Sequence, residues 1–167
     1  MSNKNSLVAI WTDGSYSRRT NCGGWGVLFR MSHNGKLVDK ECQGATFDTT
    51  NNRMEMMAAI KALDTLTRPC LVRITTDSTY LFHGITDYIY KWEANGYQRK
   101  GIDIPNADLW QQLRQLEESH IGVNWYMCKS RNTAENDIAH ELANEARRGL
   151  EDQREAAGLP AMAGVLL

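Results

Sequence analysis

The sequence predicts an α/β fold, a mixed sheet with helices packed on it. Two observations carry this. Three strand-like segments come first, and from Thr49 onward helical and strand signals alternate. A chain of 167 residues with 42% hydrophobic and 23% charged residues also has the length and composition of one globular domain with a sizeable core.

Leu7 to Thr12 is a short run of strand formers ending at Asp13-Gly14. Trp25 to Arg30 is the second strand, and Lys36 to Gly44 returns after a turn at Asn34-Gly35, a strong hairpin signal. Thr50-Asn51-Asn52 opens a helix whose apolar face is Met54, Met57, Ala58, Leu63 and Leu66, ending before Pro69. Leu71 to Thr76 is another apolar strand that meets an acid, Asp77. Ser78 to Tyr90 reads as helical with an interruption near Gly84, and Trp92 to Ile104 as a loop. Asn106 to Glu118 is helical, Ile121 to Cys128 is a last strand, and Ala134 to Arg148 is a final helix. The domain is expected over 1–148, with 149–167 a disordered tail.

Several function classes drop out. No apolar run approaches the roughly 20 residues needed to span a bilayer. Met1 to Asn5 is polar and lacks the apolar core of a signal peptide, so a cytoplasmic location is expected. The four cysteines are far apart with no C-x-x-C pair, which argues for reduced thiols over a zinc site. The net charge of −1 offers no global basic excess for nucleic-acid binding and leaves only a local basic surface.

Three acids stand out by position. Asp13 and Asp77 end two strands, and Glu55 lies in the first turns of the helix between them. Taken singly, each fits a solvent-facing strand or helix end. Brought together, three carboxylates cannot all stay ionised without a compensating cation, and hard oxygen ligands select Mg²⁺ or Mn²⁺. Two such ions are a known device for phosphoryl hydrolysis.

The words TDGS (Thr12–Ser15), GGWG (Gly23–Gly26), TTNNRMEMMAAIKAL (Thr49–Leu63), TTDSTYL (Thr75–Leu81), ITDYIYKWEANGY (Ile85–Tyr97), NADLW (Asn106–Trp110) and AENDIAHELANEA (Ala134–Ala146) occur in this order. Together they resemble cellular ribonuclease H of type 1, over roughly Val8 to Arg147. The resemblance implies a five-stranded mixed sheet flanked by helices. It implies a monomeric endonuclease that cuts the RNA strand of RNA–DNA hybrids with two divalent metals, leaving 5′-phosphate and 3′-hydroxyl ends. Asp13, Glu55 and Asp77 match the first three acids of the family's metal set. Asp13 would bridge both metals, with Gly14 and Ser15 close by.

This sequence departs from the family at the fourth acid. The family word resembles ENxxxDELA; here it runs Glu135-Asn136-Asp137-Ile138-Ala139-His140-Glu141-Leu142-Ala143, which puts His140 at the fourth position. A neutral imidazole can ligate, but it is softer and uncharged, so Mn²⁺ should gain on Mg²⁺. Asp137, one turn earlier, is the second candidate, and Glu141 a poorer one. The loop before this helix, Lys129 to Thr133, holds no histidine where many members carry one; Arg131 falls nearby and could grip phosphate but cannot serve as a base.

The resemblance also assigns substrate contacts. Asn51 and Asn52 match residues that meet the minor groove of the hybrid, with helix capping an alternative role for Asn51. Thr50 and Arg53 are placed for a DNA phosphate, and Thr79 stands where a glutamine is common. Tyr88 to Lys100 corresponds to the family's basic protrusion. It keeps Tyr88, Trp92 and Tyr97, while Lys91, Arg99 and Lys100 are offset by Asp87, Glu93 and Asp103, which predicts weaker hybrid binding. Trp92 and Trp110 are expected in the core. The alternatives are a hybrid-binding module without catalysis, or another nuclease of the same fold.

Overall fold

The computed structural model describes residues 7–128 and 133–159. Strands β1 (Leu7–Ser17), β2 (Cys22–His33) and β3 (Lys36–Phe47) form an antiparallel meander. Helix α1 (Asn51–Thr65) crosses to β4 (Leu71–Thr76), which pairs parallel to β1. After α2 (Thr79–His83), a π-helical segment (Gly84–Tyr88), α3 (Ile89–Ala94), a small β5–β6 ribbon (Gln98–Arg99, Ile102–Asp103) and α4 (Ala107–Ser119), the strand β7 (Gly122–Met127) adds parallel to β4. Helix α5 (Ala134–Ala156) closes the described chain. The main sheet is five-stranded and mixed, as expected, and its strand order is β3-β2-β1-β4-β7.

Alternation along β2 fixes which helix covers which face. A Cβ on Gly23 would collide with Met54 of α1, whereas one on Gly24 or Gly26 would collide with the backbone of α5 at Ala143 or Ala139. Successive strand residues point to opposite faces, so α1 and α5 lie on opposite sides of the sheet. The two glycines on the α5 side let that helix approach within backbone contact. The core lies chiefly on the α1 side, where Ile10, Val27, Ile60, Leu63, Ile74, Leu81 and Trp110 are fully buried. No helix among the described residues is long and apolar enough to cross a membrane.

Four expectations need correction. β1 does not stop at Asp13; it continues to Ser17 because the glycine-rich start of β2 keeps pairing with it, Asp13 opposite Gly26 and Ser15 opposite Gly24. Its parallel pairing with β4 does end at Thr12–Thr76, so Asp13 stands where β1 loses that neighbour. The segment expected as a loop from Trp92 continues α3 to Ala94 and then folds the β5–β6 ribbon around Lys100-Gly101, whose positive φ angles of 52° and 77° suit a tight hairpin turn. The interruption near Gly84 is a π-helical turn rather than a break: the Ile89 amide donates to the Gly84 carbonyl, and Gly84 packs so closely on Trp110 that a Cβ would strike the ring.

The last correction concerns only the first part of the expected tail, since 160–167 lie outside the described residues. α5 runs eight residues beyond Arg148, to Ala156. Long-range contacts supply what local propensity did not. The Thr20 hydroxyl donates to Glu151, which Arg147 also holds at 3.0 Å from one turn earlier in the helix, and Arg154 donates to the Thr20 carbonyl at 3.1 Å and lies over the Phe47 ring. The β1–β2 turn thereby holds the end of the helix.

Candidate active site

The three acids converge. Asp13 on β1, Glu55 on α1 and Asp77 just after β4 each offer a carboxylate oxygen, and these oxygens lie within 4.8 Å of one another. Thr50 starts α1 by accepting from the Arg53 amide at 3.2 Å, which sets Glu55 in the second turn, facing the sheet. The close approach that this needs occurs at Gly14, where a Cβ would sit 2.6 Å from the Glu55 nitrogen.

Glu55 is the least comfortable of the three. It is 5% exposed, and its Oε2 is fully buried without a hydrogen-bond partner. Burial, then the charges of Asp13 and Asp77, push its carboxyl well above the usual range, against a smaller opposing pull from the Gly14 amide. Asp13 is 7% exposed and better provided for: Oδ1 accepts from the Gly14 amide at 2.8 Å, and Oδ2 lies 2.7 Å from His140 Nδ1. A buried, unpartnered carboxylate oxygen among two further acids is a donor set that fits a divalent cation.

His140 comes from α5, 127 residues away in sequence from Asp13, and reaches the set through that acid. Asp137 is exposed on the same helix, and Glu141 lies at the surface 3.6 Å from Arg148. Of the substrate candidates, Asn51, Asn52, Thr79 and Tyr88 are exposed, and the Tyr88 ring stands 5.7 Å from that of Trp92. The cap of α1 is Thr50, which removes the capping role considered for Asn51. Arg53 is held in a bidentate pair with Asp108 at 2.8 and 3.0 Å, so a phosphate must compete for it. Ser15 points its hydroxyl into α5, toward Asn144 and Arg147. Arg131 lies outside the described residues. Trp110 is fully buried and Trp92 packs against it, as expected. Asn144 and Arg147 were not legible as site residues. Their signal is helical spacing, four and seven positions after His140.

The comparisons with known proteins point one way. The RNase H family model matches residues 5–148. The chain belongs to the ribonuclease H family. It is 42% identical over 163 residues to a Ribonuclease H of Methylococcus capsulatus, covering 96% of this chain and all of that one. It is 46% identical over 145 residues to a Ribonuclease H of Francisella tularensis subsp. novicida, covering 86% and 92%. Among solved structures, LC9-RNase H1, described as a type 1 RNase H with the type 2 active-site motif, superimposes with a TM-score of 0.78 at 31% identity, covering 89% of this chain and 75% of that one. As a ribonuclease H the chain is a hydrolase, an endoribonuclease, of a family that works with divalent metal ions, and the acid set is where this fold brings such ligands together.

Proposed function

We propose that the chain hydrolyses the RNA strand of RNA–DNA hybrids by two-metal-ion catalysis, leaving 5′-phosphate and 3′-hydroxyl ends and working as a cytoplasmic monomer. The observation that carries this is the Asp13, Glu55 and Asp77 set with its unpartnered Glu55 oxygen. Bound Mg²⁺ or Mn²⁺ supplies charge compensation for the acids, a more acidic attacking water and stabilisation of the leaving oxygen.

The protein's own part is placement. Asp13 would be shared between the two ions, its carboxylate oriented by the Gly14 amide. Glu55 and Asp77 would hold one of them, and His140, whose Nδ1 lies on the Asp13 side, would complete the set. Asn51 and Asn52, exposed in the first turn of α1, lie one turn before Glu55 and would read the 2′-hydroxyl side of the minor groove. Thr50, Arg53 and Thr79 would contact the strands around them, as would the Gly14–Ser15 backbone, and Arg131 would grip a phosphate. Tyr88 offers an exposed ring just before α3, backed by Trp92. Its exposed neighbours Lys91, Arg99 and Lys100 alternate with Asp87, Glu93 and Asp103, which fits weak, mildly salt-dependent hybrid binding.

The test is cleavage of an RNA–DNA hybrid, double-stranded DNA and single-stranded RNA with Mg²⁺, with Mn²⁺ and with chelator. Metal-dependent cutting confined to the hybrid RNA is expected. Hybrid binding without cutting under either metal would sink the catalytic reading, and equal cutting of double-stranded DNA the substrate reading.

A further inference from the structure

One hydrogen-bonded series leads from the acid set into α5. Arg147 Nε lies 2.8 Å from Ser15 Oγ, Ser15 Oγ 2.7 Å from Asn144 Oδ1, Asn144 Nδ2 2.9 Å from His140 Nε2, and His140 Nδ1 2.7 Å from Asp13 Oδ2. The direction of each bond follows from donor bookkeeping. A guanidinium nitrogen can only donate, so Ser15 accepts from Arg147. The Ser15 hydroxyl proton then goes to the Asn144 carbonyl oxygen, which turns the amide NH₂ toward His140. With the amide so turned, Nε2 accepts, which leaves the ring N–H at Nδ1, facing Asp13.

We propose that Asn144, held by Ser15 and Arg147, is a positioning residue that sets the tautomer of His140, presenting an N–H rather than a lone pair to Asp13 before metal binds. This rests on the reading of His140 as the fourth group of the site and adds how its ring is poised. For Nδ1 to serve as a ligand, its proton must leave and one must be taken up at Nε2, with no net change in protonation. An amide can meet both tautomers, because turning it over offers the carbonyl oxygen to Nε2–H and the NH₂ to Ser15. That second orientation gives the Ser15 hydroxyl two donors and displaces its own proton from Asn144, so Ser15 and Arg147 favour the first. Glu151, bonded to the far side of Arg147 at 3.0 Å, holds the guanidinium in line. The residue following the fourth position by one turn thus matters here because that position is a histidine; a carboxylate has no tautomer to set.

The test is nitrogen NMR of the histidine rings in the metal-free, full-length chain, with His140 assigned from the His140→Gln spectrum. The wild type is expected to show Nδ1–H with a bare Nε2. Asn144→Asp, which can only accept, should place a proton on Nε2. Ser15→Ala should give a mixture of tautomers, and Ser15→Thr, which keeps the hydroxyl, should restore the wild-type pattern. A wild-type ring carrying its proton on Nε2, or on both nitrogens, overturns the proposal, as do ring nitrogens unchanged in both Asn144→Asp and Ser15→Ala. Because no metal is present, the outcome is separable from that of the cleavage assay: an inactive protein whose tautomer follows Asn144 and Ser15 fails the catalytic reading alone.

Discussion

Glu55 and Glu151 are both largely buried glutamates on helices that pack against β1, yet the fold treats them in opposite ways. Burial and the neighbouring Asp13 and Asp77 drive the Glu55 carboxyl upward. Burial also works to raise Glu151, but the Thr20 hydroxyl and the Arg147 guanidinium outweigh it and hold the group below its ordinary value. Both Glu151 oxygens take up Arg147, whereas Glu55 Oε2 has no partner. The difference separates a carboxylate that the protein satisfies for the sake of structure from one left for a cation to satisfy. An uncompensated acid costs stability, and its persistence in a core position is a functional signature.

Asp13→Asn should have the largest effect. Hybrid cleavage should fall on the order of 10³-fold, since an amide lacks the charge at the centre of the set. In chelator the melting temperature should hold level or rise, because repulsion on Glu55 and Asp77 is relieved. Near-normal turnover in a single-turnover assay would place the centre elsewhere. Glu151→Ala should show the reverse profile. Loss of two charge-assisted contacts should cost roughly 2 kcal/mol by denaturant unfolding, while cleavage persists.

His140→Asp sharpens the comparison by adding a fourth carboxylate. Mg²⁺ affinity by calorimetry should rise roughly tenfold, about 1.4 kcal/mol, and the preference for Mn²⁺ should narrow. If Asp137→Ala instead removes metal binding and His140→Ala leaves it intact, the fourth ligand is Asp137.

The smallest effects are in pH dependence, and the two glutamates should differ in sign. Glu55 is raised in the folded state, so in chelator stability should fall as pH rises from the ordinary glutamate range through the folded value, by less than about 1.4 kcal/mol per pH unit. Glu55→Gln should flatten that slope. Glu151 is lowered, so its contribution is present above the ordinary range and lost as pH falls through its folded value. Melting curves across pH for Glu55→Gln and Glu151→Gln would resolve both; equal slopes would show that the two sites are not electrostatic opposites.

The order of elements, the Asn34-Gly35 hairpin, the strand Leu71–Thr76 and the three acids were legible because each rests on a local signal: a turn dipeptide, an apolar run, an acid following an apolar run or lying early in a helix. The motif order carried the family as well. What the sequence alone could not give depended on which surfaces meet. Local propensity faded after Arg148, but contacts with Thr20 and Phe47, more than 100 positions earlier, keep α5 helical to Ala156. Arg53 looked available for phosphate until α4 brought Asp108 beside it. The meeting of His140 with Asp13, and the Asn144–Ser15–Arg147 series that orients the ring, likewise exist only once α5 lies across the glycines of β2. Periodicity assigns residues to an element and a face; the direction of a hydrogen bond between distant side chains is decided by packing, because only packing fixes which donor has which acceptor in reach.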